Sequence, residues 1–395
     1  MEPLITLDEL RLHIALLAFV EETEAPFVSC YLNREAGAGS YRARLDERAR
    51  AMRATLDGEA RADFDSAMHR IDAYLEEKLR PDARGVALFS RHFRGGEFFQ
   101  PMQFAAPLPD WIAVGPTPNI FHLMALKDTY ERYVVLLATT SGVRILEVDL
   151  GAVTAQSWAE QPELRERVSS EWAREHYASR RELSAGFLEE QIALLQRLME
   201  GGGQTHLILA GDPSMTAAIR RLLPAPIALK LVDTLAAEGR DAQHDVVAAT
   251  LSAFIAWEEQ ESQAVAVRFI QGIRTQGLAA AGAPACMEAL RQRRADVLLF
   301  ARDYRPTAGW RCAACGAIYF EASVPARCPK CGKAEAHPID VRETLVRLAG
   351  QQDCPVEVVE HCDPLMALGG VGCLLRYVAE GSTNRPSGGP RRLRG

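Results

Sequence analysis

Four of the nine cysteines stand in two pairs, Cys312-Ala-Ala-Cys315 and Cys328-Pro-Lys-Cys331, and each pair runs straight into a glycine, Gly316 or Gly332. A two-residue gap lets one tight turn aim two thiolates at the same ion, and the glycine permits the backbone that closes the turn. Two such pairs complete the four soft ligands that Zn²⁺ takes in a tetrahedron. The spacing therefore predicts one zinc held by Cys312, Cys315, Cys328 and Cys331. With all four positions filled by protein, no place remains for a reactive water, so the expected role of the metal is structural. Cys30, Cys286, Cys354, Cys362 and Cys373 are scattered in apolar context. This usage fits a reducing cytoplasm with one metal site rather than a disulfide framework.

Other chemistry-bearing residues carry weaker signals. His206, in Thr205-His-Leu-Ile-Leu-Ala210, has no serine, cysteine or aspartate arrangement nearby that matches a nucleophilic triad, and reads as a packed or edge histidine. Leu209-Ala-Gly-Asp-Pro213 lacks the glycine spacing of a phosphate loop. Glu200-Gly-Gly-Gly-Gln204 falls between an apolar helical pattern and a strand, where glycines serve as a helix stop and turn. Two stretches are basic. Arg42, Arg44, Arg48, Arg50 and Arg53 lie along one helical pattern, as a solvated face paired with Asp46, Glu47 and Asp57 or as a surface for RNA. Between Ser157 and Arg181, the residues Trp172, Arg174, His176, Tyr177, Arg180 and Arg181 mix charge with rings that suit phosphate contact and base stacking. The same interval also reads as the start of an amphipathic helix laced by Glu171, Glu175 and Glu182.

These residues must be positioned by a chain of 395 residues, long enough for two or three domains. With 48% hydrophobic and 25% charged residues it has the make-up of an ordinary globular protein. A net charge of −7 argues against indiscriminate binding of DNA or any polyanion, so nucleic-acid contacts must be local patches. The apolar stretch Leu10 to Val20 is broken by Arg11 and His13 and lacks a basic leader, and no run approaches a spanning helix, so neither a secretory signal nor a membrane partner is predicted.

Short runs rich in apolar and β-branched residues predict strands at Phe27 to Leu32, Arg84 to Ser90, Tyr133 to Thr139, Val143 to Leu150, Thr205 to Ala210, Asp296 to Phe300, Pro355 to Glu360 and Gly372 to Tyr377. Helical periodicity marks Phe64 to Leu79, Glu182 to Glu200, Ser214 to Leu222, Ala283 to Arg293 and Val341 to Ala349. Strands alternating with helices imply α/β units, the third of them interrupted by the cysteine module. After Ala379 a Gly-, Pro- and Arg-rich sequence predicts a disordered basic tail, 379–395.

Taken together, Ala295-Asp-Val-Leu-Leu-Phe300, the inserted cysteine pairs, Pro355-Val-Glu-Val-Val-Glu360 and Leu368-Gly-Gly-Val-Gly-Cys-Leu-Leu-Arg-Tyr377 resemble the C-terminal domain of archaeal and eukaryotic class-1 peptide-chain release factors and Pelota. The hairpin, the helix from Glu182 and Thr205-His-Leu-Ile-Leu-Ala-Gly211 are similar to that family's central domain, and Phe27-Val-Ser-Cys-Tyr-Leu32 to the N-terminal domain of its bacterial relatives. The resemblance implies an N-terminal α/β domain over 1–130, a ribonuclease-H-like central domain over 131–240, and a C-terminal domain like kink-turn-binding ribosomal proteins over 241–378, with a zinc ribbon at 310–337. It also implies the ribosome and rRNA as partners, with elongation factor Tu or another translational GTPase as a further candidate.

The family's Gly-Gly-Gln loop, which positions water at the peptidyl-tRNA ester, precedes the long central helix. Here that place holds Ser170-Glu171-Trp172, and the Asn-Ile-Lys-Ser codon-reading motif is absent. The resemblance thus implies a cytoplasmic occupant of the ribosomal A site in hibernation or rescue, as in the Balon group, with no catalytic residue. By the same resemblance the Arg42 to Arg53 helix would face the decoding region and the Trp172 to Arg181 segment would be the tip near the peptidyl-transferase centre. A peptidyl-tRNA hydrolase using Gln191 or Gln204, and a zinc-ribbon scaffold with no ribosomal role, are the rival readings.

Overall fold

The computed structural model describes residues 3–23, 25–35, 37–93, 96–139, 142–160, 177–201, 205–237, 243–306, 308–321 and 324–377. It is a mixed α/β protein with four sheets. The chain divides into two compact units, Met1–Glu261 and Ser262–Gly395.

The first unit begins with helix α1 (Leu7–Ala18), opened by a capping box in which Thr6 and Glu9 bond each other's main chain. Strand β1 (Phe27–Asn33) is followed by helices α2 (Ala38–Ala54) and α3 (Gly58–Glu77), then β2 (Gly85–Phe93), β3 (Gly96–Phe104) and β4 (Trp111–Gly115). These strands form an antiparallel sheet in the order β3-β2-β1-β4. Alternate residues Val28, Cys30 and Leu32 face Tyr41 and Leu45 of α2 and Phe64, Met68, Ile71 and Leu75 of α3, whose spacing of three and four makes one apolar stripe. On the other face the Tyr31 hydroxyl donates to the Asn119 carbonyl at 2.6 Å, while the Asn119 N–H donates to Ser29 Oγ at 2.9 Å.

Helix α4 (Phe121–Thr129) leads into a second sheet made of β5 (Tyr133–Thr139), β6 (Gly142–Asp149), β7 (Ala152–Glu160), β8 (His206–Gly211) and β9 (Leu231–Ala236). Its order is β7-β6-β5-β8-β9. β5, β6 and β7 form an antiparallel meander, and β8 and β9 then add in parallel to β5. Helices α5 (Tyr177–Gly201) and α6 (Pro213–Leu222) cover one face through Leu188, Ile192, Leu195, Met199 and Ile219, with the short α7 (Ala225–Ala228) contributing Ile227. Helix α8 (Gln243–Arg274) covers the other through Val246, Leu251 and Phe254, the last stacked on Tyr133 with ring centroids 4.6 Å apart.

Asp149 links the start of α1 to this sheet. It accepts the Leu7 N–H at 2.8 Å and pairs at 2.8 Å with Arg132, which also reaches Asp8 at 3.0 Å. At the far end of β8, Gly211 has φ +130 and a side chain there would run into the Ala138 carbonyl of β5. Asp212 then caps α6 by accepting from the Ser214 N–H at 2.8 Å, so the Gly-Asp-Pro sequence is a strand-to-helix corner.

The second unit contains β10 (Ala279–Ala281), α9 (Ala283–Arg291), β11 (Ala295–Ala301), the small strands β12 (Gly309–Cys312), β13 (Ile318–Tyr319) and β14 (Ala336–Ile339), α10 (Val341–Gly350), β15 (Val356–Val359), α11 (Asp363–Ala367) and β16 (Val371–Leu375). The main sheet runs β10-β16-β11-β15, with β15 parallel to β11 and β16 antiparallel to it. The sheet β13-β12-β14 is inserted between β11 and α10.

The pattern reading omits several elements. β3 and β7 are edge strands, the first carrying Pro101 and the second holding only Val153 and Trp158 as large apolar residues, so neither shows a strong apolar alternation. α8 is also unread, because its buried residues form two short stripes. Val246, Leu251 and Phe254 are buried in the first unit, Ala266 and Phe269 in the second. The interval predicted as exposed from Ser157 begins inside β7. The tail 379–395 lies outside the described residues.

Candidate metal centre and candidate nucleic-acid interface

The two cysteine turns are built alike. In each, the glycine N–H closes the turn on the first cysteine's carbonyl, Gly316 on Cys312 and Gly332 on Cys328, both at 2.8 Å. Both glycines have positive φ, +67 and +74, a conformation that a side chain would strain. The first cysteines then bond onward, the Cys312 N–H to the Ala317 carbonyl at 2.9 Å and the Cys328 N–H to the Lys333 carbonyl at 2.8 Å.

These turns bring the four sulfurs within 4.8 Å of one another. Cys312 Sγ is 3.6 Å from Cys331 Sγ, and Cys315 Sγ is 3.7 Å from Cys328 Sγ. A tetrahedron with metal–sulfur bonds of about 2.3 Å has edges of about 3.8 Å, so the donor set has the right size for one Zn²⁺. Burial would raise the Cys328 thiol, but main-chain N–H groups of Cys331 and Lys330 and the hydroxyl of Tyr319 pull it down, whereas burial and the neighbouring sulfurs push Cys331 up, so the clustered thiols share their protons. Behind the sulfurs, Trp310 and Tyr319 make a small aromatic core with Cys312 and Cys328. Their part in the centre was not read from the sequence.

On α2, the predicted basic residues are engaged within the domain. Arg42 pairs with Asp72 at 3.3 Å and with Glu76, both on α3. Arg44 pairs with Asp110 at 2.6 Å, and Arg48 donates to the Asp110 carbonyl. Arg53 makes a two-pronged contact with Asp65 at 2.7 and 2.8 Å. Arg50 bonds only the Asp46 carbonyl one turn back, at 3.1 Å, among the contacts described. The acidic partners are thus mainly on α3 and the loop before β4, not the neighbours Asp46, Glu47 and Asp57 expected from sequence. These arginines fasten α2 down, while Arg44 and Arg53 keep 38% and 50% of their side chains open to solvent.

Of the other predicted contact residues, Trp172, Arg174 and His176 lie outside the described residues, and Arg180 and Arg181 are described only as turns of α5. Gly202, Gly203 and Gln204 also lie outside them, while the helix before them ends at Gly201. Gln191 is on α5.

His206 opens β8 opposite Tyr133. Its ring packs against Trp257 and Phe254, with centroids 4.5 and 5.5 Å away. The packed-histidine expectation therefore holds. Sequence reading missed that Glu131 and Glu258, far apart in the chain, meet His206, with ligand atoms of the three within 4.8 Å of one another.

Residues 118–254 match the family model described as bacterial archaeo-eukaryotic release factor family 10. That segment takes in the whole central sheet. No curated protein matches the chain. Among solved structures it is similar to the archaeal translation termination factor aRF1, at 14% identity over 94% of this chain and 99% of that one, with a TM-score of 0.27. Pelota from Archaeoglobus fulgidus shows 13% identity over 96% and 94%, with a TM-score of 0.35. Dom34 from S. cerevisiae, a translation termination-like factor that interacts with Hbs1, shows 8% identity over 75% and 80%, with a TM-score of 0.41. Among the described residues no helix is long and apolar enough to cross a membrane.

Proposed function

We propose that this chain is a cytoplasmic translation factor that binds the ribosomal A site, in hibernation or rescue, without hydrolysing peptidyl-tRNA. The observation that carries the reading is the match of residues 118–254 to a release-factor family. That segment includes the place before α5 where the family's Gly-Gly-Gln loop belongs, and here it holds Ser170-Glu171-Trp172. A tip without the glutamine occupies the site but has no group there to align water on the ester.

The rest of the reading follows the same resemblance. The order β7-β6-β5-β8-β9, three antiparallel strands followed by two parallel ones, supports a ribonuclease-H-like central domain within 131–240. The helix-flanked sheet of the second unit supports a C-terminal domain like kink-turn-binding ribosomal proteins within 241–378, and the inserted four-thiolate module supports a structural zinc ribbon at 310–337. The N-terminal domain, 1–130, would present the α2 arginines to rRNA, and the Trp172 to Arg181 segment would be the second contact. Elongation factor Tu or another translational GTPase is the candidate protein partner.

A single-turnover assay on stalled ribosome–nascent-chain complexes tests the non-hydrolytic reading. The expected result is ester hydrolysis no faster than the spontaneous rate while the protein stays bound. Hydrolysis that collapses on Gln204→Ala or Gln191→Ala, with binding intact, would establish the hydrolase instead.

A further inference from the structure

A second group of metal-ligating side chains lies away from the thiolates, in the first unit. Glu131 precedes β5, His206 is the first residue of β8, and Glu258 sits on α8 beside Trp257. We propose that Glu131, His206 and Glu258 form a binding site for a divalent first-row metal ion. Nothing in this inference depends on the release-factor reading.

The positions are held by well-packed elements. Tyr133 and His206 are direct partners in the parallel pair β5–β8, which sets residue 131 and the imidazole at the same end of adjacent strands. The Phe254–Tyr133 stack fixes α8 against that end, and Trp257 then flanks the imidazole. A ring N–H of His206 donates to the Arg132 carbonyl, and Nδ1 stands 2.9 Å from the Thr205 hydroxyl. A carbonyl bond of this kind fixes the ring plane and tautomer of ligating imidazoles. With the other nitrogen on the Arg132 carbonyl, Nδ1 is the ligating atom, and the ion would displace the exposed Thr205 hydroxyl from it.

The donor set selects the ion class. One imidazole with two carboxylates suits Mn²⁺, Fe²⁺ or Zn²⁺, whereas the thiolate module suits softer coordination. Ligand atoms within 4.8 Å must draw together to about 3–3.5 Å around an ion, a small rotamer adjustment for two partly exposed glutamates. Three protein ligands leave positions open for water, unlike the four-thiolate set. The alternative is that the carboxylates serve only to balance nearby cations such as Lys230.

The test is Mn²⁺ titrated into zinc-loaded full-length protein and followed by electron paramagnetic resonance, since Mn²⁺ does not compete for thiolates. One bound Mn²⁺ per chain is expected. Glu131→Gln and Glu258→Gln should each weaken binding at least about tenfold, because loss of outer-shell partners alone typically costs that much. Both variants keep the shape of the side chain, and thermal unfolding of each confirms its fold. No bound Mn²⁺, or binding unchanged in both variants, would overturn the site and leave a charge-balancing cluster.

Discussion

Trp310 and Tyr319 lie face to face behind the four sulfurs, ring centroids 4.2 Å apart and planes 15° from parallel, with the Tyr319 hydroxyl 3.8 Å from Cys328 Sγ. The four-cysteine cluster and its aromatic core are therefore one packing unit. Three very short strands and a handful of buried side chains cannot hold a module of this size without the cross-link.

One zinc per chain should be found by metal analysis of protein purified without chelators. Structural zinc contributes roughly 10–16 kcal/mol in isolated modules, so stripping it, or Cys315→Ser, should abolish the near-ultraviolet signal of Trp310. The flanking sheet, with Leu299, Phe300 and Leu374 buried, should retain most far-ultraviolet signal. Protein without zinc that keeps the Trp310 environment would contradict this.

Asp149→Ala removes the acceptor for both Arg132 and the Leu7 N–H. Removing one partner of a buried pair leaves the other uncompensated, at a cost of about 3–5 kcal/mol. Arg132 stays partly exposed and keeps Asp8, so a loss of about 2–3 kcal/mol in denaturant unfolding is expected. A change under about 0.5 kcal/mol would show that the link contributes nothing.

Gly211→Ala should be worse. It combines a left-handed backbone with a collision against the Ala138 carbonyl, and neither strand can retreat from a buried parallel pair. A loss above about 3 kcal/mol, or insoluble protein, is expected. The sequence showed this glycine only as part of a weak loop motif.

What was legible in the sequence follows from burial. Strands buried on both faces, such as β5 and most of β11, showed as unbroken apolar runs, and helices with one continuous stripe, such as α3 and α5, wrote their period plainly. Edge strands β3 and β7 did not, because one side of each has no partner. The four cysteines were legible because both halves of the centre are local turns. The meeting of Glu131, His206 and Glu258 was not, since it depends on strand register and on the placing of the helix that carries Glu258, 52 residues after the histidine. The α2 arginines were visible, but their partners Asp65, Asp72 and Asp110 come from other elements.

Those partners shape the expectation for rRNA contact. Arg53→Ala should leave stability nearly unchanged, because its pair with Asp65 is exposed. If α2 and the tip each neutralise a few phosphates, ribosome occupancy should fall with salt at a log–log slope of about −0.7 to −0.9 per contact. Arg174, Arg180 and Arg181 changed together to Ala should lower occupancy and flatten the slope, whereas Trp172→Ala should lower affinity with little change in slope. Identical salt profiles for wild type and both variants would remove the tip from the interface.

Cryo-electron microscopy of ribosomes incubated with a saturating amount of the protein tests the central claim most directly. The account predicts density for the chain in the A site, with the segment before α5 near the peptidyl-transferase centre and α2 toward the decoding region. Ribosomes whose A site stays empty at saturating protein, both with and without a translational GTPase, would contradict it.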